Sequence, residues 1–184
     1  LNLADKETAV LFGDGAGAVV MVQEESARPE APGILGVRLY AEGAGHGLIT
    51  IPAGGSRKPS GTETVREKDH LLRMQGSAVF RAAVRHLEHA IVDVLKEFGV
   101  SAADVTRLIA HQANARILEQ LRRRLRLSQE AIYSVIERYG NTSSASLPIA
   151  LDCAVREQRL AAGDVVVLAA FGGGLTWATG LVRW

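Results

Sequence analysis

The sequence predicts an α/β protein of packed layers, because segments with the pattern of strands alternate with segments that have the pattern of helices. The clearest helix spans residues 75–98, where apolar side chains recur every 3.6 residues and Gly99 follows as a stop signal. With 47% hydrophobic and 22% charged residues, the composition is typical of a soluble globular protein. The 184 residues are enough for one domain and a piece of a second.

Two apolar runs near the start of the chain are predicted to be strands. They are Ala9–Phe12 and Ala18–Val22, separated by glycines at positions 13, 15 and 17. The intervening Gly13–Ala18 resembles a phosphate-binding loop at first sight. However, no Lys-Ser or Lys-Thr pair follows it, and a valine-rich run stands where a helix would be needed. We therefore expect tight strand packing there and no nucleotide site.

A polar, proline-containing stretch at residues 24–33 is predicted to be a linker. It divides the chain into residues 1–33, the end of one domain, and residues 34–184, a second domain. Because the strand pattern begins almost at the first residue, we expect the chain to be the carboxy-terminal part of a longer protein.

The second domain opens with an alternating strand, Ile34–Ala41, followed by a glycine-rich and then charged stretch, residues 42–72. A stretch of this length is expected to be a surface excursion. The other predicted elements are a strand at 105–110, a helix at 113–126, a short helix from Ser128, a strand near 133–136, a helix at 144–160 with Pro148 near its first turn, and strands at 165–171 and 176–184.

Charge and cysteine content exclude several classes of protein. The net charge is +1, so no overall field attracts nucleic acid or a membrane surface. No apolar run reaches the roughly 18 residues of a membrane helix. Cys153 is the only cysteine, which excludes an intrachain disulfide and fits a cytoplasmic protein. Four histidines outside the candidate site lack metal-site spacing, so we expect no bound metal; they are His46, His70, His86 and His89.

Two neutral hydrogen-bond donors precede predicted helices. His111 follows a predicted strand, at the end where α/β sheets hold their sites, and an imidazole can be neutral at pH 7. Asn141 lies in the loop Tyr139–Ser146. Two such donors that converge on one oxygen can stabilise a thioester enolate. The alternatives are a structural histidine and an ordinary Gly-Asn turn with a helix cap.

Two other features have a functional and a structural interpretation. Phe171–Gly174 is either a flexible hairpin or the source of a backbone N–H for an oxyanion hole. Cys153 lies in the middle of a predicted helix beside Asp152, without the cationic neighbour or helix start that a reactive thiolate needs. We expect it to pack in the core.

The second helix is strongly basic. Its arginines are Arg116, Arg122, Arg123, Arg124 and Arg126, with Arg81 and Arg85 available from the preceding helix. This surface is either a solvated face or a docking site for an acidic partner or phosphates, since guanidinium groups pair well with forked oxygens.

Four ordered stretches resemble the β-ketoacyl-[acyl carrier protein] synthase III family of thiolase-like condensing enzymes. They are Leu11–Ala18, His111–Ile117, Tyr139–Ser146 and Ala170–Trp177. The resemblance extends over nearly the whole chain. It implies a thiolase-like layered αβαβα fold of two similar halves, of which this chain supplies the second half plus the end of the first.

The resemblance implies an acyltransferase that initiates fatty-acid synthesis. In the family, a cysteine takes a short acyl group from coenzyme A. Malonyl-carrier protein then loses carbon dioxide and attacks that thioester, which yields a β-ketoacyl-carrier protein. The implied partners are acyl carrier protein, acyl-CoA and a second copy of the complete enzyme. Coenzyme A thioesters are substrates, and no cofactor stays bound.

The resemblance also implies a role for each matching residue. His111 and Asn141 donate to the malonyl thioester oxygen, and the Gly173 N–H completes an oxyanion hole with the N–H of the cysteine. The other roles are Phe171 as a wall of the malonyl site, Phe80 and Ile117 as lining of the pantetheine tunnel, Asn114 and Arg116 where the tunnel meets the carrier protein, and Arg81, Arg123 and Arg124 with Arg116 on the docking face.

The nucleophilic cysteine of the family lies in the first half, and Cys153 does not match it. We therefore expect this chain alone to be incomplete and inactive in condensation, with its missing amino-terminal portion as a required partner. Two alternatives stay open: a polyketide starter-unit synthase, and a non-catalytic subunit that pairs with a cysteine-bearing homologue.

Overall fold

The computed structural model describes residues 1–23 and 31–184. Its strands are β1 (Gly33–Ala41), β2 (Ile49–Thr50), β3 (Arg73–Met74), β4 (Arg107–Ala110), β5 (Val165–Gly172) and β6 (Thr176–Arg183). Its α-helices are α1 (Lys6–Ala9), α2 (Thr62–Arg66), α3 (Gly76–Glu97), α4 (Ala115–Leu125), α5 (Ile136–Tyr139) and α6 (Ser146–Arg156). Short 3-10 turns occupy Gly43–Leu48, Ala102–Asp104 and Ser143–Ala145.

A mixed sheet in the order β1-β6-β5-β4 forms the centre of the molecule. Only β4 and β5 run parallel, with Ile109 opposite Leu168, and the other neighbours are antiparallel. Because successive side chains of a strand point to opposite faces, Leu108 joins one core and Ile109 joins another.

Helices cover both faces of the sheet, as the layered α/β prediction requires. Helices α3 and α4 bury one face together with Leu108 and Val167, whereas α6 buries Ile109 and Val166 on the other. Helix α4 buries its four large aliphatic side chains, Ile117, Leu118, Leu121 and Leu125. Burial of a large apolar side chain typically stabilises a fold by about 1.5–3 kcal/mol, so these stripes hold the layers together.

Most of the predicted elements of the second domain are confirmed, although the ends of several differ from the prediction. The second helix begins at Ala115, because the side chain of Asn114 accepts from the Arg116 N–H and caps it. The last helix starts at Ser146, after a 3-10 turn, and ends at Arg156. Pro148 lies in its first turn as predicted, where no N–H is required.

Two predictions between residues 128 and 136 are wrong. No helix starts at Ser128; its hydroxyl instead accepts from the Ala131 N–H in a turn. No strand occupies residues 133–136, because a single parallel bridge joins Ile132 to Leu108 and helix α5 begins at Ile136. The alternating pattern there reflects the burial of Ala131, Tyr133 and Val135, without a hydrogen-bonded ladder.

The predicted strands at Ala9–Phe12 and Ala18–Val22 are also wrong. Residue Ala9 ends α1, and Phe12 makes one bridge, to Asn141. Residues 18–22 belong to no strand, and the side chains of Val19–Val22 are 62–92% exposed. A strand needs a hydrogen-bonded neighbour, and no described segment pairs with residues 18–22.

The glycines between those runs pack tightly, but against a helix and a loop instead of between strands as predicted. A Cβ at Gly13 would lie 2.1 Å from the Tyr139 carbonyl oxygen, and one at Gly17 would lie 2.4 Å from Pro148 Cγ. This segment therefore lies directly against the start of α6 and the loop before it.

The excursion of residues 42–72 is more ordered than its composition predicts. It contains β2 and α2, and it buries Ala53, Thr64 and Asp69. The Asp69 carboxylate pairs with Lys58 and Arg73, which closes the excursion onto itself. The excursion therefore forms a fixed wall beside the sheet.

No helix in the described part of the chain is long and apolar enough to cross a membrane. The predicted boundary at residues 24–33 lies largely outside the described residues, since residues 24–30 are not among them. The division into residues 1–33 and 34–184 stays a prediction.

Candidate active site

A cavity of about 490 Å³ opens at the carboxyl ends of β4 and β5. It brings together five residues that the sequence singles out, from three separate stretches of the chain. These are His111, Ile117, Asn141, Phe171 and Gly173. The parallel pairing of β4 with β5 explains part of this convergence, because the ends of parallel strands meet at one edge of a sheet.

The end of β4 places His111 at this cavity. The His111 backbone N–H donates to the Ala169 carbonyl at 2.7 Å, which holds it against β5. Its ring Nδ1 lies 2.6 Å from Ser146 Oγ, at the start of α6. Burial lowers the pKa of the His111 imidazole below its ordinary value of 6.5, so the ring is neutral at pH 7.

The neighbouring Gln112 is fully buried and hydrogen-bonds at every side-chain position. Its amide N–H groups donate to the Ala110 and Tyr133 carbonyls at 2.7 and 3.4 Å. Its Oε1 accepts from the Ser134 hydroxyl and the Val135 N–H, both at 3.0 Å. Gln112 therefore links the backbone next to His111 to residues 133–135, the segment that follows α4.

The backbone on both sides holds Asn141 in place. Its N–H donates to the Leu11 carbonyl at 2.9 Å, and its carbonyl accepts from the Gly13 N–H at 3.0 Å. Its side-chain Oδ1 accepts from the Ser143 N–H at 2.9 Å, so the amide NH₂ is left as the donor of this side chain. Asn141 is 8% exposed, and it lines the cavity.

The backbone conformation just before Asn141 depends on Gly140. Its φ of +68° lies in the left-handed region, where a side chain is strained. A Cβ there would also lie 3.2 Å from the Leu11 carbonyl oxygen. The positive φ of Gly140 therefore lets the chain pass from the end of α5 to Asn141, which lines the cavity.

The hairpin between β5 and β6 supplies the opposite wall. The Phe171 ring stacks with Trp177 and His86, with centroids 6.3 Å apart in each pair. The Gly173 carbonyl accepts from the Thr176 hydroxyl at 3.0 Å. The paired strands β5 and β6 make this segment a hairpin, and both of its interpretations stay open.

A second, smaller cavity lies beside the first helix turns of α3 and α4. It brings together four other predicted residues, namely Phe80, Arg81, Asn114 and Arg116. Neither arginine forms an ion pair within the described residues. By contrast, Arg123 pairs with Glu119 and Arg124 pairs with Glu88, and neither lines this cavity.

Several residues of the main cavity escaped the sequence analysis. Ser146 contacts His111, Phe12 comes from the amino-terminal segment, the excursion contributes Ile49 and Leu72, and β3 contributes Met74. The excursion residues carry no sequence signal, because their part in the cavity arises from the fold of the excursion.

Cys153 occupies the position expected of a structural residue. It is 8% exposed and packs in the core under α6, with its Sγ 3.8 Å from Tyr139 Oη. It lines neither cavity. The cavity thus presents hydrogen-bond donors, and the single cysteine of the chain lies elsewhere.

Comparison with known proteins identifies the family. Residues 95–184 match the family model for the carboxy-terminal domain of 3-oxoacyl-[acyl-carrier-protein] synthase III, and residues 1–43 match the model for 3-oxoacyl-[acyl-carrier-protein] synthase III itself. The β-ketoacyl-[acyl-carrier-protein] synthase III of Caldanaerobacter subterraneus is 45% identical over all 184 residues. The chain spans 54% of that relative, about half its length.

Comparison with solved structures leads to the same family. The crystal structure of 3-oxoacyl-[acyl-carrier-protein] synthase III from Aquifex aeolicus matches 98% of this chain with a TM-score of 0.84 and 39% identity, and the match covers 52% of that protein. A priming β-ketosynthase of a polyketide biosynthetic pathway matches the whole chain with a TM-score of 0.79 and 30% identity, over 53% of its length. The predicted thiolase-like α/β fold class is confirmed, and the chain belongs to the β-ketoacyl-[acyl carrier protein] synthase III family.

Proposed function

We propose that this chain supplies the malonyl half of the active site in a β-ketoacyl-[acyl carrier protein] synthase III. The whole enzyme performs a decarboxylating Claisen condensation of a short acyl-CoA with malonyl-carrier protein, the first condensation of fatty-acid synthesis. One observation carries the proposal: His111 Nε2 and the Asn141 amide NH₂ both lack a protein partner in the described residues and line one cavity.

The chemistry requires those donors. In malonyl thioester, the bond between the α-carbon and the carboxylate breaks, and carbon dioxide leaves. The electron pair moves onto the thioester oxygen, which becomes an enolate oxyanion. The enolate carbon then attacks the acyl thioester, and the cysteine thiolate leaves. Because loss of carbon dioxide generates the carbanion, no strong base is needed, but the oxyanion needs hydrogen-bond donors.

The electrostatics of the cavity fit this role. Burial keeps the His111 ring neutral, so its N–H acts as a fixed dipole toward developing charge. Gly173, on the opposite wall, is assigned to the acyl oxyanion hole, where its N–H would act with the N–H of the nucleophilic cysteine. Phe171 is assigned to the wall of the malonyl site. The cysteine itself belongs to the part of the family's chain that lies outside these residues.

The second cavity fits the approach of the carrier protein. Phe80 and Asn114 lie there beside the two unpaired arginines, Arg81 and Arg116, whereas Ile117 lies on the main cavity. An acyl carrier protein brings phosphopantetheine and an acidic surface, and guanidinium groups pair well with both. We assign Arg81 and Arg116 the larger part in docking. Arg123 and Arg124 have a smaller part, because carboxylates already pair with them.

The experiment that tests the function measures release of carbon dioxide from malonyl-carrier protein by a complete enzyme that contains this sequence. The variants His111→Ala and Asn141→Ala should each lower the decarboxylation rate by about 100-fold or more, since one lost oxyanion donor typically costs ~3 kcal/mol. The matched control is His89→Ala, an exposed histidine of α3. Wild-type rates in both site variants would contradict the proposal.

A polyketide starter-unit synthase is the second candidate, and the match to a priming β-ketosynthase favours keeping it. Its identity to this chain is 30%, against 45% for the Caldanaerobacter enzyme. Steady-state kinetics with acetyl-CoA and longer acyl-CoA primers, each with malonyl-carrier protein, separates the two. Preference for a long or unusual primer would favour the polyketide role.

Three further points are proposals drawn from the family. The complete enzyme acts as a homodimer, works in the cytoplasm and keeps no bound cofactor. A non-catalytic subunit, the remaining alternative, would have no need of two unpaired donors in one cavity.

A further inference from the structure

We infer that Ser146 is a positioning residue that sets the tautomer of His111, so that the ring presents an N–H to the cavity. The inference deepens the proposed function and rests on it. Ser146 is 1% exposed at the start of α6. Its Oγ lies 2.6 Å from His111 Nδ1 and 3.2 Å from the Gln112 backbone nitrogen.

The two neighbours of the hydroxyl decide the direction of its hydrogen bonds. The Gln112 backbone N–H can only donate, so Ser146 Oγ must accept from it. The single hydroxyl proton then needs an acceptor. Within the described residues, the only acceptor recorded for it is His111 Nδ1.

The opposite arrangement would bury an unsatisfied proton. If Nδ1 carried the ring hydrogen, it would donate to Ser146 Oγ, and the hydroxyl proton of this 1% exposed residue would have no acceptor recorded among the described residues. A buried donor without an acceptor is costly. The favoured chain therefore runs from the Gln112 N–H to Ser146 Oγ, and from the hydroxyl to Nδ1.

This series of hydrogen bonds determines whether His111 presents an N–H or a lone pair to the cavity. A neutral imidazole whose Nδ1 accepts must carry its proton on Nε2. Nε2 makes no hydrogen bond within the described residues, and His111 lines the cavity. The opposite tautomer would point a lone pair at the developing oxyanion and repel it. In this proposal Ser146 acts through the imidazole.

The first test observes the tautomer directly. The full 184-residue chain is labelled with ¹⁵N at histidine, and long-range ¹H–¹⁵N correlations are recorded at neutral pH. The variant His111→Gln identifies the signals of His111 among the five histidines. We expect the pattern of a ring protonated at Nε2. A ring protonated at Nδ1 would overturn the inference.

The second test connects the tautomer to catalysis. In Ser146→Ala, we expect the Nδ1-protonated form to increase, and the kcat for malonyl decarboxylation by the complete enzyme to fall about tenfold or more, as when a wrong tautomer is stabilised in other enzymes. The KM for malonyl-carrier protein should change less than about twofold, since ground-state contacts are intact.

The matched control is Ser134→Ala. The Ser134 hydroxyl also hydrogen-bonds Gln112, through its Oε1, but no contact joins it to the imidazole. We expect a wild-type tautomer and a wild-type kcat in this variant. A change in only one of the two quantities in Ser146→Ala would overturn the inference. If His111→Ala leaves decarboxylation intact, the proposed function fails, while the NMR result still decides the tautomer.

Discussion

His111 and Asn141 line the same cavity, but the protein holds them by different means. Backbone bonds to Leu11 and Gly13 hold Asn141 from both sides, and these bonds depend on no side chain. The ring of His111 depends on one side chain, the hydroxyl of Ser146, and on a backbone that Gln112 supports. The position of Asn141 should therefore be sensitive to changes in the backbone around it. The orientation and tautomer of the His111 ring should be sensitive to substitution of single polar side chains.

The largest effect should come from Gly13→Ala, which breaks the backbone support of Asn141. The added methyl would lie 2.1 Å from the Tyr139 carbonyl oxygen, so the segment must move away. We expect the decarboxylation rate of a complete enzyme to fall about 100-fold, as for loss of one oxyanion donor. At Gly43 a Cβ meets no atom within 4 Å, so Gly43→Ala is the control. A wild-type rate for Gly13→Ala would show that this contact does not position Asn141.

The next effect concerns the support of His111. Gln112→Leu preserves the volume but leaves the Ala110 and Tyr133 carbonyls and the Val135 N–H without their partner. We expect the free energy of unfolding to fall by about 3 kcal/mol. Urea denaturation measures it. Gln120→Leu on α4 is the matched control, since no side-chain hydrogen bond is recorded for Gln120 among the described residues. Equal losses in the two variants would remove the special role of Gln112.

A smaller effect separates the two sets of arginines. In Arg81→Glu and Arg116→Glu, which change arginines beside the second cavity, we expect the KM for the carrier protein to rise about tenfold with little change in kcat. Arg123→Glu should change the KM less, because Arg123 already pairs with Glu119. Steady-state kinetics at low ionic strength measures both effects. An equal rise in the KM of all three variants would indicate that docking uses the whole basic surface and not mainly the arginines beside the second cavity.

The smallest effect is the pH dependence of stability at His111. Burial lowers its pKa in the folded chain below 6.5, the ordinary value that an unfolded chain should show. Between these two values the unfolded chain binds more protons, so stability is lost as the pH falls below 6.5. We expect urea denaturation between pH 7 and pH 5 to show a smaller loss in His111→Gln than in the wild type. An identical loss would assign the dependence to other groups.

The sequence predicted the carboxy-terminal part of the fold well and the amino-terminal part poorly. Strands β1, β5 and β6 and helices α3 and α4 have strong periodic patterns, and burial follows those patterns. The run Ala18–Val22 has an equally strong strand composition, but residues with strand propensity form a strand only beside a hydrogen-bonded partner. Around Ser128, the sequence has a helical pattern, but the chain forms a turn in which the Ser128 hydroxyl accepts from the Ala131 N–H.

The sequence predicted only part of the candidate site, because only some of its residues lie in recognisable local patterns. His111 and Asn141 stand next to strand ends and turns, which leave a recognisable pattern in the sequence. Ser146, Phe12 and Met74 are ordinary residues whose role depends on neighbours far away in the chain. No local pattern carries that information.

The amino-acid sequence by itself determined the α/β class, the long helix and the family, and it singled out the two candidate donor residues, because periodicity, glycine turns and motifs are local properties. Only the tertiary structure decided which residues share the cavity, which arginines remain unpaired and which hydroxyl faces the Nδ1 of His111. These features depend on contacts between distant segments, and such contacts exist only once the sheet and its helices have packed.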